Sequence, residues 1–254
     1  MDESCGNRSI FSDWRNDPDC FTLWVLVTSK ERRDDLFAVS IWCVMICVAL
    51  VTNVLILVGI GSSATMRSAT CYWLVISLAF CDIGMVTIGI VHLVPATTFR
   101  TRFVETFGWR NIIMLFFYDV FYYTGVLLLG FMASNRFVSI VYPMEYTRIF
   151  SRGRSLAYII FVTFFGFLVS LPALFPCCHT IWDGSIYIAY YENSDTCFKY
   201  VDLSVNSLTL LLMIVSYMVI IFKVRQSGRA MTNNQLTIRT RSTLARKQRT
   251  NEHL

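Results

Sequence analysis

Residues 111–134 read NIIMLFFYDVFYYTGVLLLGFMAS, an apolar run whose single carboxylate is Asp119. A helix through this run rises about 36 Å at 1.5 Å per residue, which is enough to cross the roughly 30 Å hydrocarbon core of a bilayer. The run ends in Asn135-Arg136-Phe137 and the basic segment VYPMEYTRIFSRGR, residues 141–154. Because lysine and arginine accumulate on the cytoplasmic side of membrane spans, we expect this end of the helix to face the cytoplasm.

The composition is typical of a membrane protein. Of the 254 residues, 55% are hydrophobic and 15% are charged, whereas soluble domains average about 45–50% apolar and about 25% charged. The apolar runs are continuous and lack the alternation of membrane strands, which favours helices over a barrel. The predicted fold class is therefore an all-α membrane protein, a helical bundle.

The lengths of the apolar runs predict five transmembrane helices. They cover residues 36–60, 71–94, 111–140, 155–176 and 203–222. The chain is thereby divided into an N-terminal segment, the bundle and a basic tail, at residues 1–35, 36–222 and 223–254. Short connections between the runs predict that consecutive helices are antiparallel.

The distribution of basic residues predicts an extracellular N-terminus. In that orientation thirteen of the 22 lysines and arginines lie on the cytoplasmic side. The opposite orientation is favoured by the charges around the first helix, where Lys30, Arg32 and Arg33 precede it and only Arg67 follows it. The basic segment 141–154 and the tail outweigh these charges. The sequon Asn7-Arg8-Ser9 agrees, since a translocated Asn7 is a glycosylation site.

Several classes of function are not supported. The net charge of +5 comes with a basic tail rather than a recognition fold, so we expect no nucleic acid and a contact of the tail with anionic membrane lipid. His92, His179 and His253 fall on separate segments, which gives no metal-ligand spacing. No phosphate loop or catalytic triad motif is present. We therefore predict no catalytic residue, no metal and no cofactor.

Two polar residues lie at similar depth in the first two helices, Asn53 in VALVTNVLILVG and Asp82 in LVISLAFCDIGMV. Ionisable groups inside membrane spans are costly and are functional candidates by default. The favoured interpretation is a buried hydrogen-bonded pair that joins the two helices. The alternative is a cation site that changes with conformational state.

A second polar group lies in the third helix, where Asp119, Tyr122 and Tyr123 share a face with Tyr118 beside them. A carboxylate among phenols can line a pocket for a cationic or hydrogen-bonding small molecule. The alternative is a structural acid that is satisfied by these tyrosines or by a neighbouring helix. Spacing alone leaves both interpretations open.

The pattern resembles the rhodopsin-like G-protein-coupled receptors in Asn53 of the first helix, Leu78-Ala79 and Asp82 of the second, and Arg136 at the end of the third. Finer motifs are most similar to the Srx family of nematode serpentine chemosensory receptors. These motifs are Met66-Arg67-Ser68, Tyr118-Asp119, Asn135-Arg136-Phe137, Pro143-Met144-Glu145-Tyr146, Cys178-His179, and Cys197 followed by Tyr200 and Asp202.

The resemblance implies a chemosensory receptor in the plasma membrane that binds an unknown small-molecule ligand between its helices and couples to a heterotrimeric G protein. Ligand contacts would come from Tyr118, Asp119, Tyr122 and Tyr123. Asn135, Arg136 and Phe137 would form the floor of the G-protein cavity, without an ionic lock because Asn135 replaces the usual acid. A receptor oligomer, of identical or different chains, is a further expected partner.

Two departures from the family pattern matter. Asn111 stands near the position of the cysteine that rhodopsin-like receptors use in their outer-loop bridge, and no cysteine occurs between Cys81 and Cys177. The resemblance therefore implies a local disulfide, Cys178–Cys197, with Cys177 as the alternative partner. The five predicted helices also fall short of the seven of a complete receptor, so we expect a truncated chain.

Two other classes of function remain as alternatives. One is a transporter or channel subunit, although the sequence shows no broken helix, inverted repeat or file of intramembrane charges. The other is a five-helix product without signalling activity that pairs with full-length receptors.

Overall fold

The protein is described by a computed structural model that covers residues 18–99, 108–183, 186–191 and 196–252, with side chains described between residues 33 and 229. Eight α-helices and a two-stranded hairpin make up the described chain. The helices are α1 Pro18–Ser62, α2 Ala64–Ser68, α3 Thr70–Ile88, α4 Val94–Phe99, α5 Trp109–Val141, α6 Pro143–Ile149, α7 Arg152–Ser170 and α8 Phe198–Glu252. A π-helical turn, Gly89–Leu93, joins α3 to α4, and a 3-10 turn, Leu171–Leu174, follows α7.

Five helical segments of the described chain are long and apolar enough to cross a membrane, which confirms the predicted five-helix bundle. We name them the first to fifth spans: Arg33–Ser62, Thr70–Phe99, Trp109–Val141, Arg152–Leu174 and Phe198–Arg229. The last helix continues from the fifth span to Glu252 without a break. The basic residues after 222 are therefore a continuation of this helix.

The third span is the centre of the bundle. Of its most apolar stretch 39% is buried, against 11% in the first and fifth spans. Leu128 is completely buried and packs in a cluster with Leu74 and Cys81 of the second span and Val162 of the fourth. In a membrane such contacts gain packing energy rather than hydrophobic free energy, because lipid tails are as apolar as leucine. Close fit therefore decides which helices touch.

Small residues allow that close fit. A Cβ on Gly166 of the fourth span would lie 2.9 Å from the backbone nitrogen of Thr124 in the third. A Cβ on Gly130 would lie 3.0 Å from the Thr209 methyl group of the fifth span. Glycine at these two positions lets the third span pack closely against both neighbours.

The hairpin lies between the fourth and fifth spans in sequence and packs on one end of the bundle. Its strands are β1 Thr180–Asp183 and β2 Ile188–Tyr191, antiparallel, with Thr180 opposite Tyr191. Ile181 is completely buried. We call this the hairpin end of the bundle, and the other the Arg136 end.

Replacing Gly166 by alanine is expected to destabilise the bundle, because the added methyl group meets the Thr124 backbone. Overpacking of this kind costs about 1–3 kcal/mol. Gly153→Ala is the matched control on the same helix: no atom lies within 4 Å of its Cβ position, and helix propensity favours alanine by about 1 kcal/mol. Thermal unfolding in lipid nanodiscs checks this, and a midpoint for Gly166→Ala at or above that of Gly153→Ala would contradict the close contact.

Candidate functional site

Two tyrosines of the third span bond across to the fifth span. The Tyr122 hydroxyl donates to Asn206 Oδ1 at 2.9 Å, and the Tyr123 hydroxyl donates to Asp202 Oδ1 at 2.9 Å. Sequence spacing had grouped these tyrosines with Asp119 on one face. In the structure their hydroxyls join two helices, which occupies their donor capacity.

Asp202 is the centre of this network. Its carboxylate also accepts hydrogen bonds from the Tyr191 hydroxyl at 3.2 Å and from Asn206 Nδ2 at 2.8 Å. Sequence analysis placed Asp202 in a family motif but not in the site. The sequence signal for this network is the spacing of Asp202 and Asn206 at i and i+4, which puts two polar side chains on one face of an apolar helix.

The Tyr191 phenol lies outside the spans, on β2. Its pKa is raised above the ordinary tyrosine value, first because the ring is partly buried and then because the hydroxyl faces the negative Asp202 carboxylate. The phenol therefore stays protonated at neutral pH and remains a hydrogen-bond donor to Asp202. This bond connects the hairpin to the fifth span.

Asp119 differs from Asp202 in its partners. It faces the Asp202 carboxylate and lies beside Thr180 of β1. The Thr180 side chain is buried. Neither Asp119 nor Asp202 forms an ion pair with a lysine or arginine of the described chain. Within the described residues, the hairpin end therefore holds two neighbouring carboxylates without a lysine or arginine partner.

A cavity of about 450 Å³ lies between the first and second spans. Its polar lining comes from Asn53, Asp82 and Tyr118, and its aromatic lining from Trp42 and Trp182. Asn53 is buried, faces Asp82 and donates to the Ala49 carbonyl of its own helix at 2.9 Å. The structure thus brings Asn53 and Asp82 together, in a cavity that also reaches Tyr118.

At the Arg136 end, the three residues of the Asn135-Arg136-Phe137 box have different surroundings. Asn135 is buried, whereas Arg136 is exposed. Phe137 packs on the ring of Tyr142 with centroids 6.0 Å apart. The exposed guanidinium is therefore accessible at the end of the central helix.

The short helix α6 follows the third span in the chain and is held by an aromatic cluster. The Phe150 ring contacts those of Phe131, Tyr146 and Tyr158, with centroids 5.4–6.1 Å apart. The Arg154 guanidinium donates to the Arg148 carbonyl. This packing gives the basic segment a defined place beside the Arg136 end.

A hydrogen-bond network that sequence analysis missed ties the hairpin to the second and third spans. Asn111 Oδ1 and His92 Nε2 lie 2.9 Å apart, and Asn111 Nδ2 donates to the Trp182 carbonyl at 3.1 Å. The Trp182 indole donates to Thr97 Oγ1 at 3.2 Å. The sequence places His92 on a different segment from His179 and His253, and its partner Asn111 is 19 positions away along the chain.

The disulfide differs from the predicted one. Cys178 is bonded to its neighbour Cys177, and Cys197 is a free, exposed thiol. Cys178 packs against the buried cluster that contains Tyr123 and Phe198. The expected Cys178–Cys197 bond is therefore absent here, because the Cys178 sulfur is already bonded to its neighbour and Cys197 lies on the exposed side. Asn7, the predicted glycosylation site, lies outside the described residues.

Tyr123→Phe is expected to lower the free energy of unfolding by about 1 kcal/mol, because it leaves the Asp202 carboxylate without one of its donors. Tyr217→Phe is the control, since Tyr217 is an exposed tyrosine of the fifth span, whereas Tyr123 is buried. Thermal unfolding of both variants in nanodiscs measures the difference. Equal midpoints would show that the bond to Asp202 adds nothing to stability.

Comparison with known proteins agrees with this architecture. The family described as serpentine type 7TM GPCR chemoreceptor Srx matches residues 43–251. The human protein named olfactory receptor 4Q2 is 32% identical over 117 residues, which are 46% of this chain and 34% of that protein. The match thus spans about a third of that relative. The family consists of receptors rather than enzymes, as the sequence had predicted. The chain belongs to the Srx family of serpentine G-protein-coupled chemoreceptors.

Proposed function

We propose that the protein binds a small molecule at the hairpin end and couples to a heterotrimeric G protein at the Arg136 end. The observation that carries this proposal is the third span itself. One central helix carries the carboxylate of Asp119 in its half toward the hairpin end and the exposed guanidinium of Arg136 near its other end. Membership of a chemoreceptor family supports the assignment.

The ligand site centres on Asp119, with Tyr118 beside it. Tyr122 and Tyr123 form its wall, since their hydroxyls are bonded to the fifth span. Because Asp202 already accepts three hydrogen bonds, Asp119 is the carboxylate with acceptor capacity for a ligand. The ligand would be a cation or a strong hydrogen-bond donor.

Binding there would act on the helices through Asp202. The two carboxylates repel each other. A cation at Asp119 would relieve this repulsion and favour the state in which Asp202 accepts its hydrogen bonds. A ligand shifts a conformational equilibrium only by its differential affinity for the two states. The third and fifth spans, joined by these bonds, are the elements whose relative position the ligand would bias.

At the Arg136 end, the G protein would contact Asn135, Arg136 and Phe137 together with the basic segment on α6 and the start of α7. An exposed arginine suits this role because its five donors point in fixed directions and can bind carbonyl or carboxylate groups of a partner. The basic continuation of the last helix would lie against anionic lipid. Association with other receptor chains is a further proposal for the weakly buried first and fifth spans.

We also place the protein in the plasma membrane, with the hairpin end outside and the Arg136 end in the cytoplasm. The residues of segment 1–35 would then be extracellular, those of 36–222 would form the membrane bundle, and those of 223–254 would be cytoplasmic. The excess of basic residues at the Arg136 end supports this orientation.

Asp119→Asn is expected to weaken the response to cationic agonists by tenfold or more, because a hydrogen bond to a charged group is worth about 1.5–3 kcal/mol. The measurement is a dose–response curve in cells that carry a G-protein reporter, over a panel of small amines and their neutral isosteres. Asp35→Asn is the control: Asp35 accepts from Tyr187 at 2.6 Å at the same end, and asparagine keeps an acceptor. Equal potency in wild type and Asp119→Asn would exclude Asp119 as the ligand contact.

Arg136→Ala is expected to abolish the maximal response while leaving surface expression and agonist binding in place. Lys223→Ala is the control for loss of positive charge at the same end. Solute or ion flux that survives Arg136→Ala, in the absence of any G-protein response from the wild type, would favour a transporter instead. Absence of both flux and response from a surface-expressed wild type would favour a pairing role with other receptors.

Asn7→Gln is expected to remove a glycan, because the proposed orientation exposes the sequon to the glycosylation machinery. In a gel of the protein expressed in eukaryotic cells, the wild type should shift on glycosidase treatment and the variant should not. An unmodified Asn7 together with protease protection of the N-terminus would reverse the proposed orientation.

A further inference from the structure

Trp182 of the hairpin is held from two sides. Its backbone carbonyl accepts a hydrogen bond from Asn111 Nδ2 of the third span at 3.1 Å. Its indole nitrogen donates to Thr97 Oγ1 of the second span at 3.2 Å. One residue of β1 is thus bonded to two different helices.

Both anchors are fixed within the bundle. Asn111 is 1% exposed and Thr97 is fully buried. The Asn111 side-chain oxygen is bonded to the buried His92, and the Thr97 hydroxyl donates to the Leu93 carbonyl at 3.0 Å. These second bonds orient the amide and the hydroxyl toward Trp182, so the anchor is preformed on the helices.

The position of Trp182 determines the position of Thr180. The two residues are separated by one position on a strand, so their side chains project from the same face. Thr180 lies beside Asp119, and its strand partner Tyr191 bonds to Asp202. The hairpin therefore covers the carboxylate pair and is fixed at one end by Asn111 and Thr97.

No disulfide joins the described hairpin strands to the second or third span. The sequence has no cysteine between Cys81 and Cys177, and the one disulfide of the described residues is local, Cys177–Cys178. The contact of the described strands with the second and third spans includes packing and the two hydrogen bonds of Trp182. Each such bond has a free energy small enough to open reversibly.

We propose that Asn111 and Thr97 are positioning residues that hold the hairpin over Asp119 and so set how readily a molecule from the hairpin side reaches that carboxylate. This inference rests on the proposed ligand site at Asp119. The hairpin acts as a cover held by hydrogen bonds, and access to Asp119 rises when they break.

The test measures access to Asp119 directly, without a ligand or a G protein. The full chain in lipid nanodiscs is treated with a water-soluble carbodiimide and glycinamide, which converts accessible carboxyl groups to amides, and labelling of Asp119 is followed by mass spectrometry. Labelling should be faster than in wild type by about tenfold in Asn111→Ala and several-fold in Thr97→Val. Thr98→Val is the matched control, because Thr98 is exposed and donates only to Val94 of its own helix.

A double-mutant cycle separates positioning from general loosening. Trp182→Phe removes the indole donor but keeps a ring. Asp119 should therefore be labelled as fast in Trp182→Phe as in Thr97→Val, and no faster in the variant that carries both changes. Cys81, buried in the core, reports unfolding and should stay unreactive toward a thiol reagent. The proposal is wrong if Asp119 in Asn111→Ala is labelled no faster than in the wild type, or if Thr98→Val raises the labelling rate as much as the test variants do. It is also wrong if the effects of Trp182→Phe and Thr97→Val on the labelling rate add up in the double variant, or if Cys81 becomes reactive. Any of these results leaves the ligand response of Asp119 variants as a separate question.

Discussion

The hydrogen bonds that Asp202 accepts are the interaction on which the hairpin end depends. A carboxylate at the edge of a membrane span is costly unless donors surround it. Tyr123 from the third span, Tyr191 from the hairpin and Asn206 from its own helix supply three. Because those donors come from three elements, satisfying this one charge also fixes how the third span, the fifth span and the hairpin meet.

The same arrangement separates the roles of two carboxylates. Asp202 accepts hydrogen bonds from three side-chain donors. Asp119 lies nearby with a neighbouring hydroxyl, Thr180, but without phenol donors. Tyr122 and Tyr123, which share the helix face of Asp119, bond to the fifth span. This contrast is why the proposed ligand contact is Asp119.

Much of the fold follows from the sequence because it depends on local composition. The five spans are set by apolar run length, and Asn53 and Asp82 could be paired because they lie at matching depth in adjacent antiparallel helices. Helical spacing states which residues share a face but not which faces meet. Tyr122 bonds a residue 84 positions away and Asn111 one 71 positions away, and nothing local encodes such partners. The cysteines show the same limit: Cys177 and Cys178 were both candidates for Cys197, and the structure joins them to each other.

The length of the third span constrains how its two ends can communicate. Asp119 and Arg136 are separated by about 26 Å along the helix. At that distance the direct interaction of two charges is below about 1 kcal/mol even at an effective dielectric constant of 20. The helix is packed against the second span at Leu74, the fourth at Gly166 and the fifth at Thr209. A signal from the proposed ligand site therefore has to reach Arg136 as a displacement of packed helices, because the electric field of the ligand is too weak there.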